Sequence, residues 1–384
     1  MKYELIATAA FGLEAVVRRE IEALGYEVLR TEDGRITYLT DEEGIARSNI
    51  WLRCADRVYL KMGEFKATSF EELFNQVKKI EWGDIIPADG DFPVIGNSVK
   101  SRLHSVSSCQ GIIKKAVVSS MSLRYGKVNF KDDGEEYRIR FNVLKDVFTI
   151  GIDTSGAGLH KRGYRVRETA APMKETMASA LVQLSFWNKD KTLIDTCSGS
   201  GTIPIEAAMI GRNIAPGISR KFASESWEIF KYDEWKKARK EAYEAIDYDS
   251  HLSIYGYDID KEAIEASKMN ALEAGVMDDI VFINKDMSEI DVNDYDDYGV
   301  IITNPPYGER IGNIKDIHKI YYKLKNISEK NHTWSIFMIT IDRDSEKYIG
   351  KKADRRRKLY NGRLETQYYQ FHGSKPNRTR KNTR

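Results

Sequence analysis

Apolar positions recur along this chain in two rhythms, and the change between them falls near residues 160–170. Before it, short alternating runs are interleaved with helical stripes. YELIATAA alternates as a strand, and GLEAVVRREIEALG carries Leu13, Val16, Val17, Ile21 and Leu24 at helical spacing before stopping at Gly25. RITYLT alternates again, a second helix is predicted around EEGIARSNIWLRCADRV, and VYLKMGEFKA reads as a strand. SFEELFNQVKKIEW opens on Ser69 with Glu72 three residues later, the pairing of a capping box. WGDIIPADGDF is a turn-rich connector and FPVIGNSVKS a strand. SRLHSVSSCQGIIKKAVVSSMSLRYG is predicted as one helix, and YRIRFNVLKDVFTIGIDTSG as two strands about a turn near Lys145-Asp146. This first part is an α+β region with no fixed-period repeat.

Beyond Gly163 the runs become β-branched and regular. APMKETMASALVQLSFW is a helix with Pro172 in its first turn. TLIDTCSGSGTIPIEAAMIG reads as strand, glycine turn and helix; SIYGYDID, DIVFINKD, YGVIITNPP and TWSIFMIT are further strands separated by helices. Short apolar strands alternating with helices predict an α/β fold with a parallel, doubly wound sheet covered on both faces.

Length and composition narrow the class. The chain has 384 residues, 41% hydrophobic and 31% charged, room for about two or three domains. No apolar run reaches the roughly 18 residues of a membrane span. Glu4 and Glu14 interrupt any signal-peptide core at the N-terminus. Cys54, Cys109 and Cys197 stand far apart, match no zinc spacing and cannot form a disulfide framework, so a reducing cytoplasm is expected and no metal. The net charge of +2 hides an asymmetry: KKADRRRKLYNGRLETQYYQFHGSKPNRTRKNTR carries only two acidic residues. Such a tail is either a solvated end or a nucleic-acid contact.

The chemistry gathers at the predicted strand ends, where a doubly wound sheet binds ligands. DTCSGSG, from Asp195 to Gly201, follows the first strand of the second half and opens a helix, so its glycines admit a ligand close to the backbone. Cys197 lies inside this turn and is read as a small turn residue in preference to a nucleophile. Asp258 ends the next strand, beside Ile259, where a carboxylate can accept from both ribose hydroxyls; Asp286 ends the third, facing an adenine amine. A nicotinamide dinucleotide fits poorly, because Pro204 replaces the third glycine of its fingerprint and Asp258 comes too late. A nucleoside ligand without a pyrophosphate, S-adenosylmethionine, fits better. Asn304-Pro305-Pro306-Tyr307 follows GVIIT. The Asn304 amide and Pro305 carbonyl can accept the two N–H bonds of an exocyclic amine, Pro306 fixes the backbone, and Tyr307 offers a face for an extruded base. No histidine cluster supplies a base, and this reaction needs none.

DTCSGSGTIPIEAA, GYDID and NPPYGER, with SGAGLHKRGYR, APMKETMASAL and NIAPGISRKF, resemble the large-subunit 23S rRNA guanine-N2 methyltransferases. The first half resembles a THUMP module preceded by a ferredoxin-like domain. The resemblance covers nearly the whole chain. It implies a ferredoxin-like domain over 1–65, THUMP over 66–160 and a Rossmann-like class I methyltransferase over 161–384. It assigns Asp195, Ser198, Gly199 and Gly201 to the methionine part of S-adenosylmethionine, Asp258 to the ribose, Asp286 to the adenine, and Asn304, Pro305 and Tyr307 to the target base. Lys100, Arg102, Lys114 and Lys115 on the basic helix and Lys161, Arg162, Arg165 and Arg167 after it are the expected RNA contacts. The expected partner is RNA, as 23S rRNA or a ribosome-assembly intermediate. A tRNA guanine-N2 methyltransferase, a DNA adenine-N6 methyltransferase and a non-enzymatic RNA-binding protein remain as alternatives.

Overall fold

A computed structural model describes residues 2–127, 129–130, 133–167, 172–230, 232–306, 314–362 and 364–375. The chain folds as two compact units. The first runs to Ala9 and takes in Arg18–Leu159 and Arg220–Glu241; the second holds Ala10–Val17, His160–Ser219 and the chain from Ala242 onward.

The first unit is built on one seven-stranded sheet. Its strands are β1 (Tyr3–Ala9), β2 (Glu27–Glu32), β3 (Arg35–Thr40), β4 (Ala55–Lys66), β5 (Val94–Val99), β6 (Ile139–Leu144) and β7 (Val147–Asp153), in the order β2-β3-β1-β4-β7-β6-β5. Strand β4 pairs with β1 along its first half and with β7 along its length from Tyr59 to Lys66, so one strand joins both halves of the sheet. The Ser69 hydroxyl accepts from the Glu72 N–H at 3.2 Å while the Glu72 carboxylate accepts from the Thr68 N–H at 2.7 Å, close to the predicted cap. Lys145 and Asp146 both have positive φ, the backbone of a tight hairpin turn. Strand β2 is absent from the sequence reading because EVLRTE is half charged and mostly exposed, which hides its alternation.

The basic helix is shorter than predicted. It spans Val106–Tyr125, capped by Ser105 and ended by Gly126 at φ 64°. Lys100 and Arg102 lie before it, because the Asp146 carboxylate in the β6–β7 turn accepts from the Ser101 hydroxyl at 2.8 Å and the Arg102 N–H at 2.7 Å, holding that stretch extended from the helix. The segment Arg220–Glu241 returns to this unit: Trp227 stacks on Tyr137 with centroids 4.6 Å apart, and its indole N–H donates to the Glu136 carbonyl at 3.1 Å.

The second unit carries the doubly wound sheet. Its strands are β8 (Thr192–Asp195), β9 (Ile254–Asp258), β10 (Ile280–Asn284), β11 (Gly299–Thr303), β12 (Ser335–Thr340), β13 (Arg355–Asn361) and β14 (Leu364–Phe371), in the order β10-β9-β8-β11-β12-β14-β13. The first five are parallel; β14 runs antiparallel between β12 and β13. Chain order reverses between β8 and β11, which opens a crevice at their carboxyl ends. Ile194, Ile301, Ile336 and Met338 pack one face against Tyr321 and Leu324 of the helix Ile314–Lys330.

Much of the basic tail is part of this sheet, which corrects the solvated-end reading for residues 355–371. Leu359, Thr366, Tyr368 and Phe371 are fully buried, and the Tyr368 hydroxyl donates to the Leu181 carbonyl at 2.9 Å. Five basic residues and a tight Asn361-Gly362 turn masked the two-residue alternation. Residues 376–384 lie outside the described residues.

Candidate active site

The crevice between β8 and β11 holds a cavity of about 550 Å³, lined among others by Asp195 through Ser200, Asp258, Ile259, Asp286, Asn304 and Pro306. That size suits a nucleoside-scale ligand. Every predicted cofactor residue except Gly201 lines it, and Gly201 sits in the turn between two lining residues, Ser200 and Thr202. Gly199 and Gly201 have φ of 52° and 80°, and a Cβ on Gly201 would stand 2.8 Å from the Ser267 Cβ. Only glycine lets the turn close there and free the start of the helix Thr202–Gly211.

Backbone donors orient the Asp258 carboxylate before any ligand arrives. One oxygen accepts from the Gly199 N–H at 2.8 Å and the other from the Asp260 N–H at 2.9 Å. Each oxygen retains a lone pair for a hydroxyl donor. Asp286 is gripped by the Lys323 ammonium at 2.6 and 2.9 Å and by Ser288, and Lys323 holds its carboxyl down to about 2. It is therefore ionised at any working pH. Sequence reasoning missed Lys323, since one lysine on an amphipathic helix carries no signal of its own.

Burial dominates the floor. It pushes the Asp195 carboxyl up to about 7, assisted by the Asp258 charge and opposed by the Cys197 N–H, which donates to Asp195 at 3.1 Å. Burial likewise pushes the Cys197 thiol up to about 12. Cys197 is thus protonated, and thiolate attack is disfavoured.

Asn304 follows β11 directly. Its Oδ1 is buried and accepts no hydrogen bond, as is the Ser198 hydroxyl oxygen; both residues line the cavity. A buried acceptor without a donor costs about 1–3 kcal/mol, so these atoms suit a ligand's N–H or O–H. The orphaned acceptors, the glycine cradle and the oriented Asp258 together fit S-adenosylmethionine. Pro305 is buried behind Asn304, and Pro306 faces the cavity. Tyr307 and the GER sequence after it lie outside the described residues.

Two of the expected RNA contacts are corrected. Arg162 is buried, its Nε 3.4 Å from the Glu206 carboxylate; burial works most strongly against the cation, and Glu206, Tyr164 and Glu175 together outweigh it and raise its affinity for the proton. Tyr164 and Ser179 also donate to Glu206. Arg165 is largely buried against Glu175 at 3.3 Å and donates to the Met173 carbonyl and the Thr202 hydroxyl, two cavity-lining residues. Arg165 braces the cavity wall, Arg162 is neutralised behind it, and neither presents a free charge to a phosphate. Lys100, Arg102 and Lys115 are exposed in the first unit, and Lys161 and Arg167 in the second. Lys114 is half-buried, donating to the Phe92 carbonyl at 3.2 Å and lying over the Phe92 ring at 3.6 Å. Among the described residues no three His, Cys, Asp or Glu side chains gather as metal ligands, and no helix is long and apolar enough to cross a membrane.

Comparison with known proteins bears on the fold and the family. Residues 162–370 match the RMKL-like methyltransferase domain, 4–59 the RlmL ferredoxin-like domain and 67–153 the THUMP domain. The chain is 48% identical over 372 residues, 96% of either protein, to the RNA-methyltransferase candidate YpsC of Bacillus subtilis (strain 168). It is 30% identical to the ribosomal RNA large subunit methyltransferase K/L of Marinomonas sp. (strain MWYL1), of which it spans about half, 52%, with 96% of its own length. Two solved structures share the fold at a TM-score of 0.92. One, from Listeria monocytogenes str. 4b F2365, is described as a predicted N6-adenine-specific DNA methylase (45% identity, 97% of each chain). The other, SMU.472, is a methyltransferase candidate complexed with SAH (43% identity, 98% of this chain and 99% of that one). The chain belongs to the RMKL-like methyltransferase family, with a ferredoxin-like and a THUMP domain before its catalytic fold, and it is an S-adenosylmethionine-dependent methyltransferase.

Proposed function

We propose that this chain methylates the exocyclic N2 amine of a guanine in RNA, with large-subunit 23S rRNA as the substrate. The observation that carries the reading is the Asn304 Oδ1, a buried acceptor with no donor, on a residue that lines the strand-end cavity. S-adenosylmethionine supplies an electrophilic methyl group. Asp258 holds the ribose hydroxyls, Ser198 and the glycine turn hold the methionine part, and Asp286 accepts from the adenine amine. Asn304 and the Pro305 carbonyl each accept one N–H of the target amine, which turns its lone pair toward the methyl group. The amine sheds its proton to water once the new C–N bond gives it positive charge, so no side-chain base is required. The THUMP domain and the relatives described as RNA methyltransferases favour RNA over DNA. The adenine reading is favoured only by the description of the Listeria protein. Deleting the gene and comparing nucleosides from 23S rRNA, tRNA and DNA tests the assignment. Loss of N2-methylguanosine from 23S rRNA is expected; loss confined to tRNA, or loss of N6-methyladenine from DNA, overturns it.

Two results follow from the cofactor assignments. Asp258→Ala removes both ribose acceptors and the anchor of Gly199, so calorimetry should show S-adenosylmethionine bound roughly 10–100-fold more weakly. Asp195 makes cofactor binding pH-dependent. Near its value of about 7 the carboxyl is partly protonated in the free protein, while the cationic methionine end favours the carboxylate. Affinity should therefore rise by about ten-fold from pH 6 to pH 8 with a proton released on binding. Folding responds with the opposite sign. A carboxyl raised on folding stabilises the free protein below its unfolded value near 4, and that contribution is lost as pH rises through about 7.

A further inference from the structure

We propose that the outer edge of strand β13, together with Phe11, is a contact surface for a single RNA strand leading into the cavity; this rests on the RNA reading above. The sheet register fixes where this surface lies. Thr303, the residue before Asn304, pairs with Met338, Met338 with Tyr369, and Tyr369 with Arg356. Arg356 thus shares a row with the end of β11, three strand spacings or about 14 Å away. Strand β13 is parallel to β11 and β12, so Lys358 and Tyr360 continue past that row toward the carboxyl edge where the cavity opens.

Charge and aromatic surface follow one another along this strand, the cations before the Arg356 row and the rings beyond it. From residue 351 to 362 the chain has six basic side chains and one acidic one, Asp354. Arg356 is held by Glu346, and Lys358 by Glu365 at 2.7 Å. Lys351, Lys352 and Arg355 are exposed and have no carboxylate partner among the described residues. At the cavity end Phe11 is 54% exposed and meets Tyr360 edge-on at 6.0 Å, while the Lys358 ammonium lies 5.3 Å from the Tyr360 ring. Gly12, at φ +92°, pins Phe11 in place: its backbone sits so close to β13 that a Cβ would fall 2.5 Å from the Lys358 carbonyl oxygen. Cations in series with an exposed ring suit phosphates and an unstacked base of a single strand. Strand β13 is the last of its sheet, with no further strand paired to it among the described residues, and the loop at Gly12 lies against it near Lys358 and Leu359.

The test uses the full chain and a fluorescein-labelled single-stranded RNA followed by anisotropy across a salt series. Replacing Lys351, Lys352 and Arg355 together by Gln should weaken RNA binding by roughly ten-fold or more and flatten the log–log salt slope by about 2, leaving S-adenosylmethionine affinity unchanged. Phe11→Ala should weaken binding by roughly ten-fold with the slope preserved. Wild-type affinity and slope in both variants overturn the proposal. So does a triple variant that self-associates while its RNA affinity is intact, since the charges would then only guard the sheet edge. If wild type itself binds no RNA at low salt, the RNA reading fails and this surface with it.

Discussion

Asn304→Ala is expected to slow methyl transfer by on the order of 10³-fold or more while cofactor affinity stays within a few-fold. In the proposed arrangement the amide oxygen touches the target amine alone, so its loss falls on the transition state. It should appear in kcat and leave the Michaelis constant for S-adenosylmethionine nearly unchanged. Asn304→Asp is a sharper variant, keeping the acceptor and replacing the amide by a charge. Its activity should fall less than that of the alanine variant. Equal turnover in wild type and Asn304→Ala would remove the residue from the chemistry.

Glu206→Gln should lower the unfolding free energy by about 3–5 kcal/mol, because Arg162 would remain buried and charged without its partner. That is a large part of the roughly 5–15 kcal/mol typical of a domain. Glu206 also accepts from Tyr164 at 3.0 Å and from Ser179, so the network ties the 160–167 stretch to two helices. Arg165, three residues on, reaches Met173 and Thr202 in the cavity wall. Cofactor affinity should therefore fall along with stability. Chemical unfolding checks the first effect; a loss under about 0.5 kcal/mol, as for an exposed substitution, would show that the pair is not buried as described.

Legibility of the sequence followed the physics of each element. The Ser69–Glu72 cap, the Lys145-Asp146 turn and the strands ending at Asp195, Asp258 and Thr303 were readable because each depends on local residue chemistry. The cavity residues were found because glycines, carboxylates and an Asn-Pro-Pro run leave specific marks at strand ends. Strands β2 and β13 escaped because charged side chains on exposed edges hide the two-residue period. Arg162 and Arg165 looked like phosphate ligands since a sequence shows charge and not burial; their carboxylate partners are 44 and 10 residues away. Lys323 could not be anticipated, because only the packing of its helix brings it to Asp286.

The most direct measurement incubates the purified chain with unmodified 23S rRNA and methyl-labelled S-adenosylmethionine, then identifies the labelled nucleoside by mass. Labelled N2-methylguanosine with wild type, and almost none with Asn304→Ala, is the predicted result. Label on adenine N6, or equal label from both proteins, would contradict the account.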